Sequence, residues 1–307
     1  MLHSLQILRF IAATSVVYYH ITFTYGSFGV DIFFVLSGFV IALVVYDKQD
    51  PLFFAISRIS RIVPIYWLLT TLLLILIFIA PKLVHESSAA NANFFNYLRS
   101  LFFIPFFEDK EMKPILQLGW TLNYEMIFYA ITWISLLLSR KSLILTSTIL
   151  VLLFFAFSFL IKNNMASSFF GNDIILEFIL GIIAFKIYST SFLKRISAIL
   201  LFLILIFSYC LMIYFQIKDL TTSRLLFYGL PSCLIILSCV GLENKILEVK
   251  NEIISFLVSM GDASYSTYLT HWYVIVACRK IFSERLKIID FYSPFGVLLT
   301  LIFSLIV

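Results

Sequence analysis

The sequence predicts an all-α protein, a polytopic transmembrane helical bundle, on three observations. Of its 307 residues, 62% are hydrophobic and only 13% are charged, whereas soluble domains are about half apolar and about a quarter charged. The mean hydropathy is +1.03. The apolar residues form long runs, unlike the roughly ten-residue alternating segments of an outer-membrane barrel. Because only helices and closed barrels satisfy their backbone groups in lipid, we expect a helical integral membrane protein.

Ten apolar segments are candidate spans, because a hydrocarbon core of about 30 Å requires roughly 20 helical residues. They are Leu5–Thr24, Phe28–Tyr46, Ile62–Ala80, Leu118–Leu138, Ser142–Ile161, Asp173–Ile187, Ile196–Phe215, Arg224–Leu242, Ser264–Phe282 and Phe291–Val307. A shorter apolar run, Asn93–Phe107, contains Arg99 and Pro105. It is predicted to be interfacial or re-entrant, and an eleventh span is the alternative.

The chain is predicted to be one membrane-embedded domain over residues 1–307. The first apolar run is longer than a signal-peptide core and has no cleavage signal, so we expect a retained helix. No linker rich in Gly, Ser or Pro divides the sequence, and no soluble domain is appended. Ten spans place similar numbers of Lys and Arg on both sides, so the positive-inside rule does not fix the orientation. We expect a multi-pass protein of the cytoplasmic (inner) membrane.

Charge and cysteine content exclude several classes of partner. The formal charge of +5 is spread over many loops, which suits contact with anionic membrane lipid and gives no indication of nucleic-acid binding. Four cysteines in apolar segments lack close pairing, so they are predicted to be packing thiols. They are Cys210, Cys233, Cys239 and Cys278. Walker, dinucleotide, zinc-protease and nucleophile-elbow motifs are absent, and no metal site is predicted.

Two ionisable residues share one face of the first predicted helix. Arg9 and His20 are eleven positions apart, which is three helical turns plus about 20° and about 16 Å along the axis. Considered separately, they are an arginine that snorkels to the inner interface and a histidine in the outer aromatic belt. Their common face favours the lining of a polar cavity.

Asp31 lies at the start of the second predicted helix, on the side where the first helix ends. We therefore expect it at the depth of His20, where a carboxylate can orient an imidazole. The alternative is an acid in the first turn that the helix dipole stabilises. Gly29 and Gly38 are predicted to allow a neighbouring helix to approach closely.

Arg58 and Arg61 are predicted to lie in a short polar loop, Ser57–Ile62. Their i, i+3 spacing would point both guanidinium groups the same way on a helical turn, and Pro64 is expected to begin or end the element beside them. Guanidinium groups suit phosphate oxygens, so the pair is a candidate site for a phosphorylated group. Anchoring by positive charge at the inner interface is the alternative.

Glu125 is a carboxylate about two turns into a predicted span. No Lys or Arg lies within four residues of it, and an isolated carboxylate in a membrane is a candidate functional group. A tertiary partner such as Arg99 or His20 is the structural alternative. With ten spans its helix enters from the outside, which places Glu125 near the depth of His20 and Asp31.

The segment Gly261–Trp272 carries a polar face that includes Tyr268 and His271. This face is predicted to point into the bundle. With ten spans, His271 lies in the inner half of the membrane, nearer to Arg58 and Arg61, and contact with a cofactor is predicted for it.

Together these segments resemble the acyltransferase-3 family of integral membrane acyltransferases. The likeness is strongest to stand-alone members that modify exopolysaccharide and other surface glycans. The matching pieces run in order along nearly the whole chain, and their combination is specific although each is weak alone. They are Leu5–Ala13 with His20, Gly29–Phe39, Arg58 and Arg61 before Pro64 and Tyr66–Trp67, Trp120–Leu122 with Glu125 and Phe128–Tyr129, Phe178 and Gly181, and Ser264–Ser266 with Tyr268–Leu269 and His271.

The resemblance implies transfer of an acyl group, usually acetyl, from cytoplasmic acyl-CoA to a carbohydrate hydroxyl on the far side of the membrane. The acceptor would be exopolysaccharide, lipopolysaccharide or a similar glycan. It also implies that His20 is the essential histidine, that Arg9 and Asp31 support it, and that Arg58 and Arg61 face coenzyme A. Two-domain relatives carry a C-terminal hydrolase-like domain, so an acceptor step assigned to that domain is expected here in the bundle or on a separate protein.

We accordingly predict catalytic roles for His20, Asp31 and Glu125, with acetyl-CoA or another acyl-CoA as the donor. Substrate contacts are predicted for Arg9, Arg58, Arg61, Trp120, Tyr268 and His271. In this hypothesis His20, oriented by Asp31 or Glu125, acts as general base for a sugar hydroxyl or transiently accepts the acyl group.

The alternative function is a non-enzymatic transporter or flippase of glycan precursors, whose buried polar residues form a substrate or proton path. No paired Gly- or Pro-interrupted helices recur in two halves of the sequence, which disfavours that alternative. The sugar, the acceptor position, the acyl chain and the oligomeric state do not follow from the sequence.

Overall fold

The computed structural model describes residues 2–47, 50–81, 92–108, 111–112, 114–139, 142–162, 164–220, 222–249, 251–285 and 289–306. The α-helices in these ranges are α1 (His3–Thr22), α2 (Gly29–Asp47), α3 (Pro51–Ile79), α4 (Phe94–Leu101), α5 (Gly119–Leu138), α6 (Leu143–Ser158), α7 (Asn164–Phe170), α8 (Glu177–Ser189), α9 (Ala198–Ile217), α10 (Leu230–Glu248), α11 (Glu252–Asp262), α12 (Ser264–Cys278) and α13 (Pro294–Ile306). The last residue of the tenth predicted span lies outside these ranges.

Shorter segments complete the secondary structure. The 3₁₀-helices are Asp173–Leu176 and Phe192–Arg195, and the π-helices are Leu225–Gly229 and Arg279–Arg285. The strands β1 (Phe107–Glu108) and β2 (Glu111–Met112) pair antiparallel in a small hairpin. The prediction of a helical protein is thus confirmed, with this hairpin as the departure from an all-α chain within the described residues.

Six helices of the described ranges are long and apolar enough to cross a membrane. They are Gly29–Tyr46, Pro51–Ile79, Gly119–Leu138, Ala166–Ser189, Ala198–Ile217 and Leu225–Glu248. Two further apolar helices are shorter, namely Leu143–Ser158 and Pro294–Ile306. These helices support a multi-pass membrane protein, whereas a total of ten spans stays a prediction.

Helix α3 begins much earlier than the sequence suggested. Asp50 caps it, because its Oδ1 accepts hydrogen bonds from the backbone N–H groups of Leu52 at 2.9 Å and Phe53 at 3.4 Å. Pro51 occupies the first turn, where its missing N–H costs no helical hydrogen bond. The cap and the proline together start the helix before the apolar run that was predicted to be the span.

The predicted polar loop at Ser57–Ile62 is therefore wrong, since these residues are helical within α3. Pro64 neither begins nor ends an element but lies inside the helix. Arg58 and Arg61 keep the i, i+3 relation that a helix imposes, so the prediction of a common direction rests on firmer ground than a loop would give.

The run Asn93–Phe107 does not form a crossing helix. Its helix α4 has 8 residues, a length of about 12 Å against a hydrocarbon core of about 30 Å. Asn93 caps it by accepting a hydrogen bond from the Asn96 N–H at 2.8 Å, and Phe103 has a φ of 55° in the left-handed region. An eleventh helical span at this position is therefore excluded.

The helices form two compact units. The first unit consists of Met1–Leu43 and Leu176–Val307, and the second of Val44–Ile175. In the first, α1 packs against α10, α11, α12 and α13. In the second, α3 packs against α4 and α5, and α6 packs between α5 and α7.

The start of α1 is held by a carboxylate from another helix. The backbone N–H groups of His3 and Ser4 donate to Oε1 and Oε2 of Glu243, each at 2.8 Å. First-turn N–H groups lack helical partners and carry the positive end of the helix dipole. Glu243 on α10 thereby fixes where the helix that carries Arg9 and His20 begins.

Three glycines let helices of the first unit approach closely. A Cβ added at Gly29 would lie 2.4 Å from the Ala12 carbonyl oxygen, and one at Gly38 would lie 2.2 Å from that of Phe178. A Cβ at Gly181 would lie 2.0 Å from the Val35 carbonyl oxygen. The predicted close approach at Gly29 and Gly38 is confirmed, and α2 packs backbone to backbone on both α1 and α8.

We expect Gly181→Ala to destabilise the protein, because the new Cβ would force α2 and α8 apart. Overpacking of this kind costs about 1–3 kcal/mol, which thermal unfolding in detergent can measure. Gly241→Ala is the control, since its Cβ would meet the flexible Leu201 side chain at 2.7 Å. Equal melting temperatures for the two variants would contradict this account of the helix contact.

Candidate active site

Two histidines contact each other in the first unit. His20 Nδ1 lies 3.1 Å from His271 Nε2, and the ring centroids are 5.0 Å apart. His271 has no exposed surface, while His20 is half-buried. The second nitrogen of His271, Nδ1, lies 3.3 Å from the carbonyl oxygen of Thr267. The two imidazoles and this carbonyl therefore form one continuous hydrogen-bonded chain.

The prediction that His20 and His271 occupy different halves of the bundle is wrong. The helical path that leads to His271 begins at Glu252, where α11 starts, and not at Ser264. The twelve additional helical residues raise its position by about 18 Å. Because α1 runs parallel to α11 and α12, His271 is carried toward His20.

Aromatic rings surround the imidazole of His20. Its centroid lies 5.4 Å from that of Tyr19 and 6.0 Å from that of Trp272, both in edge arrangements. Tyr268 contacts the other histidine, with its centroid 5.9 Å from that of His271. The predicted polar face of α12 therefore points to α1, and it provides aromatic surfaces as well as an imidazole.

Asp31 has a different partner from the one predicted. Its Oδ1 and Oδ2 accept hydrogen bonds from Arg224 Nε at 3.0 Å and Nη2 at 2.5 Å. This is a bidentate ion pair, the strongest arrangement of these groups. The Asp31 side chain is fully buried, and desolvation of a carboxylate demands such a partner. The carboxylate expected beside His20 is thus bound to Arg224 in the structure.

Sequence reasoning missed the other members of this ionic cluster. Arg224 directly precedes the π-helix, and its guanidinium carbon lies 5.5 Å from the Tyr228 ring centroid. Glu177 is also fully buried and interacts electrostatically with Arg224. Glu177 is a carboxylate inside an apolar run, the same signal that identified Glu125. Its pairing could not be found, because Arg224 is far away in sequence.

Arg9 is buried, and its hydrogen-bonding capacity is only partly used. Its Nη1 donates to Gln6 Oε1 at 3.4 Å, and Gln6 Nε2 in turn donates to Asp262 Oδ1. The Nε–H of Arg9 is buried with no hydrogen-bond partner among the described residues. A buried guanidinium with an open donor is costly unless a ligand or water completes it.

In the second unit, Arg58 lies against two aromatic rings. Its guanidinium carbon is 5.7 Å from the Phe54 centroid and 6.0 Å from the Tyr129 centroid. Such cation–π contacts fix the plane of the guanidinium and leave its in-plane N–H groups directed outward. Arg61 is one turn further along the same helix, and both side chains are half-buried. The pair can therefore present two cations to one anionic group.

Glu125 and Trp120 lie on α5 in the same unit. The Tyr129 hydroxyl donates to Glu125 Oε1, so this carboxylate has a local partner one turn away. The Trp120 ring lies edge-on to Tyr124 at 6.1 Å. No three His, Cys, Asp or Glu side chains of the described chain are grouped closely enough to hold a metal ion. All four cysteines are free, three of them buried and Cys210 exposed.

Comparisons with known proteins agree on one family. The model of the acyltransferase-3 family, described as an acyltransferase domain, matches residues 2–307. The exopolysaccharide production protein ExoZ of Rhizobium meliloti is 31% identical over 269 residues, which cover 84% of this chain and 79% of ExoZ. The peptidoglycan O-acetyltransferase OatA of Listeria monocytogenes is 33% identical over 150 residues, or 44% of this chain and 24% of OatA. No solved structure matches the chain.

We expect the Asp31–Arg224 pair to stabilise the first unit. Asp31→Asn or Arg224→Gln alone should lower the free energy of unfolding by about 3–5 kcal/mol, because each leaves a buried charge without its partner. The double variant should lose less than the sum of the two single changes. Thermal unfolding in detergent measures all three, with Lys245→Gln in the exposed Lys245–Glu248 pair as the control. Additive losses would show that the pair is not coupled.

Proposed function

Because the chain belongs to the acyltransferase-3 family, we propose that this membrane acyltransferase moves an acyl group from cytoplasmic acyl-CoA to a hydroxyl of a carbohydrate. Acetyl is the proposed acyl group. The proposed acceptor is a surface or exported glycan, such as exopolysaccharide or lipopolysaccharide, and the proposed location is the cytoplasmic membrane. The printed names of the relatives ExoZ and OatA support a polysaccharide acceptor and O-acetylation.

The observation that carries the mechanism is the half-buried imidazole of His20, held by a second imidazole and enclosed by aromatic rings. In the proposed step, His20 removes the proton of the sugar hydroxyl as its oxygen attacks the thioester carbonyl carbon. The carbon–sulfur bond then breaks, and the coenzyme A thiolate takes the proton from the imidazolium. General-base catalysis contributes about 10²–10⁴ in rate. The variant in which His20 itself accepts the acyl group uses the same nitrogen.

Three arginines are proposed to bind the donor. Arg58 and Arg61 are assigned to phosphate groups of coenzyme A, because guanidinium groups held in one direction suit phosphate oxygens. Arg9 is assigned to a further oxygen of the donor, since its buried Nε–H lacks a protein partner among the described residues. An acyl-CoA carries enough anionic and carbonyl oxygens for all three.

The other predicted site residues receive secondary roles in this proposal. Trp120 and Tyr268 are assigned to contacts with the sugar or the acyl chain through their ring faces. Glu125, which accepts from Tyr129, is assigned to proton handling. Asp31 is proposed to support His20 indirectly, because its ion pair with Arg224 holds the first turn of α2 beside the end of α1.

The His20→Ala variant should lose at least about 10²-fold in acyl transfer. Purified protein supplied with isotope-labelled acetyl-CoA and an oligosaccharide would show the labelled product with wild type only. His3→Ala is the matched control, since His3 contributes only its backbone N–H to the cap of α1. Full activity of His20→Ala would remove this residue from the mechanism. Absence of labelled product with wild type, despite glycan movement across vesicles, would establish transport instead.

Conservative changes at the arginine pair test phosphate binding. Arg58→Lys or Arg61→Lys should raise the KM for acetyl-CoA by roughly tenfold, because lysine keeps the charge but cannot form two parallel hydrogen bonds to one phosphate. The KM for the oligosaccharide should not change. The exposed Arg195 supplies the control variant Arg195→Lys. An unchanged KM for acetyl-CoA would favour anchoring at the membrane surface.

A further inference from the structure

His271 cannot act as the proton acceptor of the reaction, because its side chain has no exposed surface. Both of its ring nitrogens are also engaged within the protein, one by His20 and the other by Thr267. A buried histidine with both nitrogens committed acts through its neighbour. The relevant question is what this contact does to His20, whose role is that of the proposed function above.

The Thr267 carbonyl fixes the proton on His271. A carbonyl oxygen can only accept a hydrogen bond, so His271 Nδ1, at 3.3 Å, must carry the proton and donate it. In a neutral imidazole the other nitrogen then holds a lone pair. His271 Nε2 is therefore an acceptor, and it faces His20 Nδ1 at 3.1 Å.

The same reasoning fixes the proton on His20. Because His271 Nε2 accepts, His20 Nδ1 must donate, and the remaining nitrogen of His20, Nε2, holds its lone pair. That nitrogen is the one that can take a proton from a hydroxyl or attack an acyl carbon. The opposite arrangement would set the lone pair of His271 Nδ1 against the lone pairs of the Thr267 carbonyl oxygen, which is repulsive.

We propose that His271 is a positioning residue that holds His20 in the tautomer with a basic Nε2, through the chain from the Thr267 carbonyl to His271 Nδ1–H and from His20 Nδ1–H to His271 Nε2. The chain also supports the charged intermediate. When His20 Nε2 takes the proton, Nδ1–H remains bound to the lone pair of a neutral imidazole, which stabilises the cation. This assignment replaces the predicted contact of His271 with a cofactor.

Two substitutions at one position test the proposal. His271→Gln can still accept from His20 Nδ1–H through Oε1, whereas His271→Phe keeps a ring of similar size without an acceptor. We expect His271→Phe to lose about 10²-fold in kcat while KM for acetyl-CoA and the oligosaccharide stays within twofold. We expect His271→Gln to recover most of that loss. Ser266→Ala, which removes a local hydroxyl on the same helix, should behave as wild type.

Nitrogen-15 NMR of histidine-labelled protein supplies a readout that a purely structural role would not change. In wild type, the His20 signals should show a protonated Nδ1 and an unprotonated Nε2, and His271→Phe should convert them to a mixture of tautomers. An unaltered His20 pattern, undiminished kcat in His271→Phe, or equal losses in both variants would overturn the proposal. These outcomes differ from failure of the proposed function, in which wild-type protein itself would not transfer acyl groups.

Discussion

Burial of polar groups among apolar helices sets the constraint on which the rest of this structure depends. Each such group must find a partner, because an unpaired donor or charge costs several kcal/mol in hydrocarbon. The protein meets this constraint across helices: Glu243 binds the start of α1, Arg224 binds Asp31, and His271 binds His20. These contacts also determine which helices are neighbours, since α1 and α2 each receive a polar partner from the C-terminal half of the chain.

The same constraint separates two kinds of arginine. Arg224 is fully engaged by Asp31 and serves to hold helices together. Arg9 and Arg58 each retain a buried Nε–H without a partner in the described part of the chain, and the plane of Arg58 is fixed by aromatic rings rather than by a carboxylate. Cations that the protein leaves incompletely paired are the ones available to an anionic ligand. Structural and ligand-binding charges can thus be told apart by their partners and not by their residue type.

Much of the architecture was predictable, because apolar length reports directly on membrane helices. The first two helices lie within two residues of their predicted ends, and the glycine contacts at Gly29 and Gly38 follow from the absence of a Cβ. The start of α3 was mispredicted because the Asp50 cap, Pro51 in the first turn and Pro64 in the interior are signals that compete locally. The partners of Asp31 and His20 could not be predicted, since Arg224 and His271 approach them only through the tertiary fold.

The pairing of His20 with a neutral histidine suits a base inside a membrane. A carboxylate partner would stabilise the imidazolium more strongly, but it would add a charge whose desolvation in an apolar bundle is costly. The chain of Thr267 carbonyl, His271 and His20 carries no formal charge at rest, so the site can be assembled without an ion pair. Charge then appears only while a proton is in transit, when the hydroxyl and the thiolate are both present to receive it. Asp31 is consequently free to bind Arg224, and the anionic member of the site is placed where it holds helices rather than where it would bind the proton.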